Sequence, residues 1–98
     1  MGSIKGVHHI CLRPNSDLYR ETVLFYTEIL GCETVRRWGE GESEGCMVDC
    51  GDGTVMEIVH GSDDGTVNTG ALHHIAFCAD DVASLLENVR SSGWNRGI

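Results

Sequence analysis

No C-x-x-C spacing, no excess of positive charge and no long apolar run occur in these 98 residues, and each absence removes a class of function. A helix crossing a bilayer needs about 20 consecutive apolar residues, and no stretch approaches that length. The N-terminus also lacks the basic-then-apolar order of a signal peptide. A cytoplasmic protein without a membrane partner is therefore the expectation. Seven basic against fifteen acidic side chains give a formal charge of -8, which repels phosphate backbones and anionic lipid surfaces alike; nucleic acid is not an expected partner. The five cysteines, Cys11, Cys32, Cys46, Cys50 and Cys78, are an odd number at spacings that suggest neither a disulfide framework nor a zinc ribbon. They read as reduced thiols. Cys46 and Cys50, if on one strand, lie about 13 Å apart and too far to share one ion, so lining a core or a cleft is their expected role.

What is present is an ordinary globular composition, 41% hydrophobic and 22% charged. A chain of this size forms one small domain and buries only about 60–70% of its unfolded surface, so a partner subunit is a natural source of further burial. Its organising feature is a repeat. Val7-His8-His9-Ile10-Cys11-Leu12 returns as Leu72-His73-His74-Ile75-Ala76-Phe77, sixty-five positions on, and after each copy comes a polar break and a helix-like run closing on glycine, Gly31 and Gly93. Self-similarity at a fixed period outranks any local signal. The chain divides into a first module over residues 1–60, a polar glycine-rich linker over 61–70, and the beginning of a second module over 71–98, together one domain.

Residues 4–13 are expected to form a strand, ended by Pro14, which has no backbone donor, and by the turn formers Asn15 and Ser16. Alternation puts Val7, His9, Cys11 and Arg13 on one face and His8, Ile10 and Leu12 on the other, apolar, face. His9 is therefore the ligand candidate of its pair and His8 the structural member. From Asp17 to Leu30 the apolar residues Leu18, Val23, Phe25, Tyr26, Ile29 and Leu30 follow three-and-four spacing, an amphipathic helix, with Ser16 or Asp17 as cap and Gly31 as the left-handed residue beyond its end. Residues 32–38 resume an extended pattern, and 39–45, with three glutamates, read as a solvated loop. The strands 45–50 and 54–60 flank Gly51-Asp52-Gly53, whose Asp-Gly pair suits the positive φ angles of a tight hairpin. In the second of these strands Met56 and Ile58 face one way, and Val55, Glu57 and Val59 the other. A carboxylate between valines is costly to bury alone, so Glu57 should meet a cation, a donor or water.

In the second module alternation places His73, Ile75 and Phe77 on the apolar face and His74, Ala76 and Cys78 on the other, within a strand over 71–79. Asp80 or Asp81 then caps a helix reaching about Ser92, with Val82, Leu85, Leu86 and Val89 as its stripe. By the repeat, a complete second module would continue for about another 40 residues through its own hairpin. Arg13, Arg36 and Arg37 could meet an anionic substrate but read as solvated charge; Phe25 and Tyr26 belong to the core, and His60 to an exposed strand end.

The order strand, helix, three strands resembles the βαβββ module of the vicinal oxygen chelate superfamily, which includes glyoxalase I, bleomycin-resistance-type proteins and extradiol dioxygenases. The matching stretches are HHICLR, FYTEILGCETVRRW, GDGTVMEIVHG and ALHHIAFCADDV followed by a helix; together they cover about residues 4–93. The resemblance implies an α+β fold, a βαβββ module followed by a partial βα module. It implies that each module offers one histidine from its first strand and one glutamate from its fourth to a divalent ion, Zn, Ni, Mn or Fe. By position His9, Glu57 and His74 match three of those four ligands, and the fourth would come from the second hairpin. The implied activity is that of a metal-dependent lyase like lactoylglutathione lyase, or of an epimerase or isomerase. It would act on a small molecule chelated through neighbouring oxygens, with Glu57 as ligand or base and an enediolate-like intermediate. A metal-free ligand-binding protein of the bleomycin-resistance type and an inactive truncated homologue are alternatives. An extradiol dioxygenase would draw its glutamate from the last strand of the second module. A strand at 71–79 without a neighbour would expose unpaired backbone groups, so a two-fold homodimer is expected, with His9 and Glu57 of one chain near His74 of the other.

Overall fold

The computed structural model describes residues 2–61 and 74–93. Its frame is a four-stranded sheet in the order β1-β4-β3-β2, with β1 at His9–Leu12, β2 at Glu33–Trp38, β3 at Gly45–Asp49 and β4 at Val55–Val59. β3 and β4 form the expected hairpin. Asp52 (φ 45°) and Gly53 (φ 86°) are both left-handed, and the Thr54 N–H donates to the Gly51 carbonyl at 2.9 Å, closing the turn. β2 pairs antiparallel with β3, with a bulge between Thr34 and Arg36, whereas β1 pairs parallel with β4. The α+β class and the strand, helix, three strands order of the first module are thus as expected. β1 is shorter than the expected 4–13 because its neighbour begins only at Val55, which faces His9; residues before His9 would lie beside the hairpin turn and find no ladder.

One face of the sheet is covered. Val48, Ile58, Met56 and Cys46 from the two central strands pack with Tyr19 and Val23. The segment supplying those last two is not one uniform helix, as the periodicity suggested. A 3-10 turn at Ser16–Leu18 leads into α1 at Tyr19–Leu24, and a π turn follows at Phe25–Ile29. Thr22 and Thr27 each donate a hydroxyl to the carbonyl four residues back, Leu18 and Val23, at 2.8 Å, a contact that competes with the regular ladder and bends helices. The altered phase leaves the stripe residue Leu18 45% exposed and buries Tyr19 instead. Phe25 and Tyr26 are half-buried rather than core. The N-cap positions fall on Asn15 for the 3-10 turn and Leu18 for α1, and neither makes a side-chain cap bond. Gly31, at φ 82°, ends it as expected.

Of the expected strand at 71–79, residues 71–73, His73 among them, lie outside the described part, as do 62–70 of the linker and 94–98 of the tail. Residues 74–79 are not part of the sheet. They keep the expected alternation all the same: Ile75 packs against the core, while His74, Ala76 and Cys78 are exposed. Phe77 is half-exposed and meets Tyr26 edge-on, at 6.2 Å between centroids. α2 follows at Val82–Ser91, and only Val89 of its stripe is buried; Val82 is 60% exposed.

Asp81 caps α2 as expected. One carboxylate oxygen accepts from the Ser84 N–H at 3.0 Å and the other from the Ser84 hydroxyl at 2.9 Å. These bonds, the backbone one first, hold the Asp81 carboxyl below its ordinary range. Because the folded value lies below the unfolded one, the cap contributes fully above about pH 4 and is lost as the pH falls through the lowered folded value. Asp81→Ala should reduce helicity and melting temperature at neutral pH, and the gap to wild type should close in strong acid. Far-UV circular dichroism against pH is the measurement; a gap that persists in acid would show that the carboxylate is not the cap.

Candidate functional site

Strand alternation together with the parallel β1–β4 ladder brings His9 and Glu57 together. His9 faces Val55 and Cys11 faces Glu57 across the ladder, so the side chains at 9, 11, 55 and 57 share the sheet face opposite the core. His9 Nε2 stands 3.8 Å from Glu57 Oε1, with 37% and 23% of the two side chains exposed. The carboxylate between valines has thus found a partner that can be a cation or a donor. Met47 lies beside it in the register of β3, and Val55 and Val59 flank it, giving the site a half-apolar floor.

The second nitrogen of His9 is also engaged, its Nδ1 lying 2.8 Å from the Nδ1 of His8 with the rings edge-on at 83°. One of the two must donate and the other accept. With His8 as donor, the His9 Nε2–H is the one turned toward Glu57; with His9 as donor, its Nε2 presents a lone pair that only a cation between it and Glu57 would satisfy, the arrangement by which an outer partner fixes the tautomer of a ligating histidine. His8 was expected to pack on the apolar face. It is exposed instead, because β1 starts only at His9 and the residue before it is free of the pleat.

Cys11, counted from the sequence only as a thiol of the same face, belongs to the site. Its Sγ lies 3.8 Å from the Leu12 carbonyl, and partial burial and then the Glu57 carboxylate beside it push the thiol pKa up. Its position two residues after His9 was the available signal. His74, the third expected ligand, is exposed in the segment outside the sheet. Among the described residues no three His, Cys, Asp or Glu side chains come together to hold a metal ion. The chain alone therefore brings together His9 and Glu57 of the expected set.

As a pair they fit a divalent ion. Ligand bonds of about 2.0–2.2 Å at a tetrahedral angle place two donors about 3.3–3.6 Å apart, within a few tenths of an ångström of the observed 3.8 Å. An imidazole and a carboxylate suit Zn, Mn, Fe or Ni and do not choose among them. Of the arginines, Arg36 lies 5.5 Å over the Trp38 ring and Arg37 pairs in register with Cys46, on the core side.

On that side of the sheet is a cluster the sequence did not reveal. His60, expected to be exposed, is half-buried, stacks on Tyr19 at 4.1 Å and 17°, and hydrogen-bonds through Nδ1 to the Ser16 hydroxyl. Among the described residues its Nε2 is buried without a hydrogen-bond partner. Ser16 thus holds the strand end.

Among the described residues no helix is long and apolar enough to cross a membrane. No curated protein sequence matches the chain at a significant level. Eleven chains of solved structures match its fold, three of them as follows. A glyoxalase-family protein from Bacillus anthracis is 21% identical, with a TM-score of 0.71 over 95% of this chain and 74% of its own. The fosfomycin resistance protein FosX from Listeria monocytogenes, solved with Mn(II) and sulfate, is 24% identical, with a TM-score of 0.66 over 92% of this chain and 66% of its own. A glyoxalase/bleomycin resistance protein from Streptomyces sp. CB03234 is 20% identical, with a TM-score of 0.61 over 89% and 75%. The sequence profile that matches residues 6–95 is of the same kind, and the chain belongs to the Glyoxalase/Bleomycin resistance protein/Dioxygenase superfamily.

Proposed function

We propose that this protein is a metal-dependent lyase or isomerase of the glyoxalase kind. His9 and Glu57 of one copy and His74 of a second would hold one divalent ion, and the substrate would be a small molecule carrying two neighbouring oxygens. The observation that carries this reading is the His9–Glu57 pair, 3.8 Å apart on the open face of the sheet. The Mn(II) in the FosX structure, on the same fold, supports it. A bound divalent ion supplies Lewis-acid polarisation of the substrate oxygens.

The chain's own residues do the rest. The β1–β4 ladder fixes the spacing of His9 and Glu57 on backbone hydrogen bonds rather than on a loop. His8 holds the ring of His9. The Glu57 carboxylate, with one oxygen directed at His9 and the Cys11 thiol beside it, would take a proton from the carbon next to a substrate carbonyl and return it at the neighbouring position. Val55, Val59 and Met47 limit water at that carboxylate. Dimerisation suits the half-buried character of this face, on which a second copy would complete the enclosure and bring its His74.

The test is thermal. Protein stripped with a chelator and then given Mn(II), Ni(II), Zn(II) or Fe(II) at about a hundred times the dissociation constant should melt about 10 °C higher or more. Glu57→Ala should abolish the shift. Equal melting temperatures for stripped and metal-treated wild type would refute the proposal. They would favour instead the metal-free ligand-binding reading, which is supported by the cavity of about 380 Å³ between Leu30, Phe77 and α2, a volume within the range of small-molecule sites.

A further inference from the structure

Three of the five thiols, Cys32, Cys50 and Cys78, line that same cavity, on the core side of the sheet and away from His9 and Glu57. Two of them are opposed by the ladder. Glu33 faces Asp49 and Thr34 faces Val48, so the next residues outward, Cys32 and Cys50, are cross-strand neighbours on one face. Their backbones do not bond each other: the Cys32 N–H donates to the Tyr26 carbonyl at 2.9 Å and the Cys50 N–H to the Thr54 carbonyl at 2.8 Å. This is the closer, non-hydrogen-bonded type of antiparallel pair, with Cα atoms about 4.5 Å apart, inside the span of about 4.4–6.8 Å that a disulfide bridges. Both thiols are free and half-buried against the core.

We propose that Cys32 and Cys50 form a dithiol pair that hydrogen peroxide, entering by the cavity, oxidises to a disulfide. Burial, and then the neighbouring Cys50, push the Cys32 thiol up; both thiols line the cavity, and the reaction balances in the same way whichever of them attacks, here Cys50. The Cys50 sulfur takes the outer oxygen of the peroxide, the O–O bond breaks, and the leaving hydroxide collects the Cys50 proton as water. The sulfur of Cys32 then attacks the resulting sulfenic acid, and its hydroxyl leaves with the Cys32 proton as a second water. Two thiols are oxidised, one peroxide is reduced, and the products are one disulfide and two waters. The bond ties the chain just after Gly31 to the edge of the hairpin, closing the segment between residues 32 and 50 at the floor of the cavity. Cys78, on a segment outside the ladder, has no such fixed partner geometry.

The full chain, reduced and freed of reductant, is treated with two equivalents of hydrogen peroxide, alkylated with N-ethylmaleimide, digested and mapped by mass spectrometry. The expected result is the loss of two alkylatable thiols, a peptide linked through Cys32 and Cys50, and a melting temperature higher by on the order of 10 °C, reversed by dithiothreitol and missing in Cys32→Ser and Cys50→Ser. Five alkylated thiols, a link to Cys78, a link between chains, or sulfinic acid at either member of the pair would each overturn the proposal. The mapping is done on wild type, so it holds even if a serine variant folds poorly.

Discussion

Ile58→Ala should destabilise the domain by about 2–5 kcal/mol, the usual cost of truncating a buried isoleucine, made of lost transfer energy and a residual cavity. Ile58 is 0% exposed, sits on the central strand β4, and is flanked in register by Leu12 of β1 and Cys46 of β3. Ladders hold it on both sides, so the surroundings cannot close over the lost atoms by shifting one element. For a domain whose whole stability is about 5–15 kcal/mol, much of the population should unfold well below the wild-type midpoint. Urea unfolding checks it: the midpoint should fall with an unchanged slope, while Leu86→Ala, on the exposed side of α2, should stay close to wild type. A loss below about 1 kcal/mol at Ile58 would mean that the core does not centre on β4.

Mixing two inactive variants should restore metal sites. If His9 and Glu57 of one chain share an ion with His74 of another, Glu57→Ala and His74→Ala each destroy both sites of a homodimer. In a mixed dimer one site collects every mutation and the other none. Random exchange makes half of the dimers mixed, so about a quarter of the sites should return in the mixture. Metal bound per chain, measured after unfolding-free exchange at micromolar concentration, gives the number, and sedimentation gives the dimer. Mixed dimers that bind no metal would place all ligands within one chain, and a wild type sedimenting as a folded monomer would remove the shared site altogether.

Much of the candidate site was legible because alternation is a local property. His9 and Cys11 on one side of Ile10, and Glu57 between Val55 and Val59, are sorted by a period of two whatever the fold does. The hairpin was legible through Asp52 and Gly53, and the helix end through Gly31, since each needs a φ that few other residues adopt. Which strands lie side by side is another matter. Nothing local in HICL says that it runs parallel to VMEIV, and only the family resemblance supplied the meeting of His9 with Glu57. Tyr19 and His60 are separated by 41 positions in the sequence and stack because the 3-10 and π turns reset the helix phase. Propensity alone does not fix that phase, since the Thr22 and Thr27 hydroxyls that accompany the change are side-chain competitors of the ladder. The Cys32–Cys50 juxtaposition was hidden for a similar reason: it needs the β2–β3 register, and the bulge at Val35 shifts that register by one partway along.

The parallel joining of β1 to β4 also orders events in time. The β3–β4 hairpin closes over a two-residue turn and forms in about 1–10 μs, whereas His9 must find Val55 across the whole intervening helix and sheet, a contact whose loop-closure entropy slows it. His9 is therefore expected to reach Glu57 after the hairpin has closed, when β1 docks on β4. β1 is the shortest strand and lies at an edge of the sheet, so it can open by itself, taking His9 with it while β2, β3 and β4 remain paired. Metal affinity in this chain would then measure the docking equilibrium of one short strand, and an ion that binds the docked form would act as the latch on that strand.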